Sequence, residues 1–143
     1  MHREKQTTIF IHRLALILLA LTASWNLFGM VTKPRLGGIW SSQYEQFGFV
    51  IGLWALAIWK VWTRPRAWGR GVGIAMLLIV VAHGFLWYRG MQYFRSIGQQ
   101  MEFVPELMRF LPYEVLFCIT GIVCLVLAKR SAARGIELGE MGK

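Results

Sequence analysis

Between Leu14 and Val31 the chain carries no charged residue. Coiled as a helix, a run of that length rises about 27 Å, close to the hydrocarbon thickness of a bilayer. Three more apolar runs follow, so the expected spans are about 9–31, 44–62, 71–89 and 112–128. In lipid every backbone N–H and C=O must be satisfied inside the chain, which leaves helices for runs of this kind. The fold class read from the sequence is therefore an all-α integral membrane protein. It is expected to form one four-transmembrane-helix bundle over 1–143.

The stretch Lys60–Arg70, KVWTRPRAWGR, has four basic residues, no acid, and an apolar run on each side. Such a segment resists translocation and fixes the orientation of its neighbours. With the N-terminus inside, the inner segments hold Arg3, Lys5, Arg13, Lys60, Arg64, Arg66, Arg70, Lys129, Arg130, Arg134 and Lys143. The outer ones hold Lys33, Arg35, Arg89, Arg95 and Arg109. That imbalance places both termini in the cytoplasm and the chain in the cell membrane as a multi-pass protein, the inner membrane if the source is bacterial. The net charge of +9 belongs to the ends of apolar runs. The expected partner is thus the anionic bilayer surface, and no nucleic acid is expected. The basic start and Leu21-Thr22-Ala23 also fit a signal peptide. Apolar character continues through Trp25, Leu27, Phe28 and Met30, which favours an uncleaved first span.

Lys33-Pro34-Arg35 and Gly37-Gly38 end the first run. Trp40, Trp62, Trp68 and Trp87 fall at expected boundaries, where an amphipathic ring belongs, and are read as interfacial anchors. Trp25, Trp54 and Trp59 fall deeper and are expected to pack. Gly48 and Gly52 form GxxxG on the second span; with Gly121 they are the expected helix-packing glycines. In 91–111 the apolar residues Phe94, Ile97, Met101, Val104, Met108 and Leu111 recur every three or four positions. That period predicts an amphipathic interfacial helix between spans three and four, with Pro105 opening a second short helix. Tyr44-Glu45 with Gly52, and Tyr113-Glu114 with Gly121, share one spacing and hint at two similar hairpins.

Asn26, Glu45, His83 and Glu114 all fall within about 8 Å of the outer boundary by helical rise. Each of the four spans thus offers a polar group to one layer, and polar groups at such depth usually face the bundle. They form the candidate outward-facing polar pocket. The competing reading has the two Glu as solvated helix starts and His83 as a buried imidazole held by a neighbour. No spacing such as HExxH supports a metal, and none is expected. Ile11-His12-Arg13-Leu14 resembles the first span of the cytochrome b561 type. The resemblance covers that helix alone. It implies haem between paired histidines, but the other spans lack the partners, and His12 and His83 differ in depth by ~12 Å or more, so no cofactor is expected. Cys118 and Cys124 face about 120° apart on one helix, which forbids a disulfide between them.

No catalytic residue is assigned, and an enzyme is the less favoured class. The expected function is a non-catalytic accessory, assembly or scaffold subunit of a larger membrane complex, joined to partner subunits or to copies of itself. The alternative is a small carrier or ligand-binding protein using the outer polar pocket. A membrane enzyme acting on lipid or quinone ranks third.

Overall fold

The computed structural model describes residues 2–32, 43–98 and 103–134. All regular structure among them is helical: α1 (His2–Thr32), α2 (Gln43–Thr63), α3 (Pro65–Ser96) and α4 (Phe103–Arg134). Each contains a segment long and apolar enough to cross a membrane: Gln6–Val31, Glu45–Thr63, Pro65–Ser96 and Leu111–Ala133. Phe28, Val81, Leu86 and Ile122 lie exposed on the outside, a distribution suited to lipid rather than water.

Each helix packs on its chain neighbours, and α1 closes the ring against α4. The directions follow from pairs of contacts. His12 and Asn26 of α1 meet Val61 and Trp54 of α2. Thr22 and Asn26 meet Thr120 and Tyr113 of α4. His83 of α3 meets Glu114 of α4, and Gly73 lies against Gly121. In every case one number rises as the other falls, so the bundle runs up, down, up, down.

A tight α2–α3 corner replaces the connection left between the expected spans 44–62 and 71–89. Only Arg64 leaves the helical region, with φ −137° and ψ 67°. A residue before proline is pushed from the α region, while Pro65 suits the first helical position because the N–H it lacks has no partner there. The Arg64 N–H donates to the Lys60 carbonyl at 2.8 Å, and the Trp68 N–H donates to the Arg64 carbonyl at 3.0 Å. Lys60 Nζ sits 4.8 Å from the Trp59 ring centre and 5.2 Å from that of Trp68. It ties the two sides of the corner through cation–π contact.

The stretch 91–111 is a second correction. It is not a helix of its own. Met91–Ser96 complete α3, and 103–111 begin α4. Gly98, at φ +75°, ends α3 in a left-handed conformation that glycine adopts without strain. Pro105 falls in the first turn of α4, where N–H groups lack partners in any helix. Pro112 lies within α4 and does not end it. Met101 and Trp40 lie outside the described residues.

The core follows α4. Its buried residues are Glu114, Phe117, Thr120, Gly121, Cys124, Leu127, Ala128 and Ser131, one continuous helical face. Ala15, Leu19, Thr22 and Ala23 of α1 are buried as well, and Val72, Gly73 and Met76 of α3 join them. Thr22, from the possible cleavage motif, is fully buried. Its Oγ1 is 2.7 Å from the Leu18 carbonyl and 2.9 Å from Thr120 Oγ1, which is 2.7 Å from the Leu116 carbonyl. Each hydroxyl has one proton and two acceptors in reach, the carbonyl of its own helix and the facing hydroxyl. Thr120→Val leaves Thr22 able to donate to Leu18. The expected cost is about 0.6 kcal/mol, typical of one interhelical hydrogen bond in a membrane protein, read by denaturation in detergent.

Candidate functional site

One layer just to the Gly98 side of the middle of α3 gathers side chains from all four helices. Trp54 Nε1 of α2 donates to Asn26 Oδ1 of α1 at 3.4 Å. An indole N–H only donates, so it fixes which end of the Asn26 amide faces it. Asn26 Nδ2 then donates to the Tyr113 hydroxyl of α4, which leaves the Tyr113 proton uncommitted by that bond. His83 Nδ1 of α3 lies 2.9 Å from Glu114 Oε1.

Aromatic rings enclose these groups. Tyr113 and Phe117 have ring centres 4.6 Å apart. His83 lies 6.0 Å from Tyr113 and 6.3 Å from Phe117. Trp54 meets Phe117 edge-on at 6.0 Å. Phe117 is 2% exposed and forms the floor beneath the polar layer, with the Thr22–Thr120 pair deeper in the core.

Burial divides the ion-pair candidates. The Glu114 side chain is 8% exposed, whereas that of His83 is 36% exposed. Glu114 Oε2 is fully buried and accepts no hydrogen bond. A buried acceptor without a donor is costly and marks a place where a donor would be welcome. With one proton between them, the carboxyl and imidazole form a pair of no net charge. Such a pair can pass a proton or accept a hydrogen bond from a bound cation or hydroxyl. Among the described residues no third His, Cys, Asp or Glu completes a metal-sized cluster around it.

Three of the four expected pocket residues meet in this layer: Asn26, His83 and Glu114. Glu45 instead is exposed in the first turn of α2 and does not join this layer. Tyr113, Trp54 and Phe117 belong to the site and were not expected there. Tyr113 and Phe117 flank Glu114 at spacings of one and three, so a buried Glu114 face on α4 would have drawn both inward. Trp54 was placed by depth among the packing aromatics, and its N–H supplies the polar contact. His12 lies at the other end of the bundle. Its Nε2 is 3.3 Å from the Val61 carbonyl, so that nitrogen carries the proton.

The packing glycines also divide. A Cβ on Gly121 would meet the Gly73 carbonyl at 3.1 Å and the Met76 Cβ at 3.2 Å, whereas one on Gly48 or Gly52 would meet nothing within 4 Å. Gly69 and Gly73 of α3, hidden at sequence level beside a presumed loop, supply the GxxxG that packs against α4. Trp62 and Trp68 are exposed at the α2–α3 corner, Trp87 is half-buried, and Trp25 and Trp59 turn outward. Cys118 is half-buried and Cys124 buried, both as free thiols. Set against known proteins, the chain matches no family model, no curated protein and no solved structure.

Proposed function

We propose that this protein is a non-catalytic membrane subunit that docks partner transmembrane helices along the outer face of α2. It sits in the cell membrane with both termini cytoplasmic, the orientation favoured by its basic residues. The observation that carries the reading is the unfilled GxxxG face. Trp54, Ala57, Ile58 and Val61, which turn toward the core, lie about 140–240° around the helix from Gly52. Gly48 and Gly52 point the opposite way, and beyond their own stretch of helix backbone an added Cβ on either meets nothing within 4 Å among the described residues. Only 6% of the spanning window of α2 is buried, against 39% for α4. Two small residues a turn apart let a second backbone approach closely, which is where helix association in lipid gains its dispersion energy.

The test uses the tagged full chain, purified in mild detergent with mass spectrometry of what accompanies it. The expected result is a stoichiometric set of partner subunits, or a defined homo-oligomer. Gly48→Leu with Gly52→Leu is expected to release those partners at least tenfold while leaving the bundle folded. A lone chain, unaffected by the glycine changes, would sink the reading. That result would favour the second one, a small carrier or binder for a hydrogen-bond-donating or cationic solute. Its support is Glu114 Oε2, an acceptor buried without a donor beside the partly exposed His83.

A further inference from the structure

At the opposite end of the bundle from the His83 layer, α3 and α4 enclose a groove of about 410 Å³. Its lining is Arg66, Arg70, Leu125, Ala128, Lys129 and Ala132. Arg66 and Arg70 are one turn apart on α3, and Lys129 faces them from α4. The helices lie close at this point: a Cβ on Gly69 would come within 3.1 Å of the Cys124 carbonyl and 3.4 Å of the Ala128 Cβ. That contact makes a shallow, closed floor between the cations. Leu125, Ala128 and Ala132 share one face of α4 and form an apolar wall, with Leu125 set toward the membrane interior.

No acid neutralises the cluster from within its own helix, since Pro65–Ser96 contains none. Glu114 of α4 lies about 16 Å along the helix from Leu125. A simple ring of headgroup anchors needs neither a cavity nor an apolar wall. Three convergent cations above an apolar wall match an amphiphile with a charged head and a chain. Basic pockets between membrane helices take anionic headgroups in this way, with arginine forks gripping phosphate oxygens in pairs. A single phosphodiester would leave two of the three charges uncompensated.

We propose that this groove is a stoichiometric site for an anionic phospholipid whose headgroup carries two negative charges. The phosphates lie between Arg66, Arg70 and Lys129, and an acyl chain runs down past Leu125. The site is independent of the α2 docking face and of the partner reading.

The probe is cardiolipin. The full-length protein is placed in phosphatidylcholine nanodiscs holding about one cardiolipin in ten lipids, then released for native mass spectrometry. One retained cardiolipin per chain is expected. Losing two basic contacts in R66Q/R70Q is expected to weaken retention about 25-fold, at about fivefold per residue. K60Q/R64Q removes the same charge from the same membrane face outside the groove and is expected to change retention less than twofold. A132W fills the groove with every charge intact and is expected to abolish retention, so the proposal stays testable if the arginine variant misfolds. Equal losses from K60Q/R64Q and R66Q/R70Q would overturn the site in favour of a diffuse basic belt. Retention unchanged in A132W would also overturn it. Displacement of the lipid by millimolar inorganic phosphate would reassign the groove to free phosphate and overturn the lipid assignment.

Discussion

Gly73→Leu is expected to leave little folded protein. A Cβ at this position would stand 2.8 Å from the Gly121 carbonyl oxygen and 2.8 Å from Leu125 Cγ. The leucine side chain can swing away; the carbonyl is part of the α4 backbone and cannot. Relief therefore requires the two helices to separate, and α3–α4 is the most extensive contact in the bundle. Forcing extra methylenes into a packed interior costs about 1–3 kcal/mol, more where backbone must move. A loss of about 3 kcal/mol or more is expected for leucine, with a smaller loss for Gly73→Ala. Gly71→Leu is the control. It lies on the same helix two residues away, with nothing within 4 Å of its added Cβ. Leaving glycine there gains up to about 1 kcal/mol of helix propensity. Denaturation followed by circular dichroism in mild detergent should therefore show Gly73→Leu far below the parent and Gly71→Leu at or above it. Equal stability of the two variants would mean that the close Gly73–Gly121 approach does not hold this bundle together.

The four segments long and apolar enough to cross a membrane were legible because apolar run length can be compared directly with bilayer thickness. Helix ends were not. Charged and polar residues mark where lipid stops, whereas a helix stops where its backbone hydrogen bonds do. Arg66 and Arg70 therefore read as loop, although the restriction before Pro65 confines the break to Arg64. That misplacement concealed Gly69 and Gly73, since a GxxxG motif has meaning only on a helix. The three-and-four spacing in 91–111 falls on two long helices, Phe94 in α3 and Val104, Met108 and Leu111 in α4, with α3 ended by Gly98.

The polar layer was legible by depth and only partly by direction. Helical rise placed Asn26, His83 and Glu114 at similar heights, and the Asn26–Tyr113 and His83–Glu114 contacts put them in one layer of the bundle. Which side of a helix turns inward depends on its neighbours. Glu45 and Glu114 occupy the same register after a tyrosine, yet one is exposed and the other buried. Gly52 and Gly121 divide the same way, open on α2 and packed on α4. The reason is the placement of α4, which touches both α1 and α3 extensively, while α2 contributes one narrow stripe around Trp54, Ala57, Ile58 and Val61. Matching spacing in two segments fixes register along the axis and says nothing about rotation around it.

His83→Ala is expected to destabilise the bundle more than removing both members of its pair. The alanine strips Glu114 Oε1 of the imidazole 2.9 Å away. Oε2 already lacks a donor, so the carboxyl would be buried with neither oxygen satisfied. A buried polar group left in that state costs about 1–3 kcal/mol, and more if it stays charged. Because His83 is partly open to its surroundings, a value near 2 kcal/mol is expected. In H83L/E114L both polar groups are gone and two apolar side chains can meet against Phe117; such paired replacements are often neutral or stabilising. Glu114→Gln keeps a hydrogen-bonding group opposite His83 and should fall between the parent and His83→Ala. The ordering of these variants, read as denaturation midpoints in one detergent, reports the asymmetry directly. It also separates two roles for the layer. If the pair only fixes the register of α3 against α4, H83L/E114L should remain folded and keep whatever partners or ligand the parent carries. If the buried Oε2 is a ligand's acceptor, the double variant should remain folded and lose that ligand. A His83→Ala variant as stable and as competent as the parent would remove the polar pocket from consideration altogether.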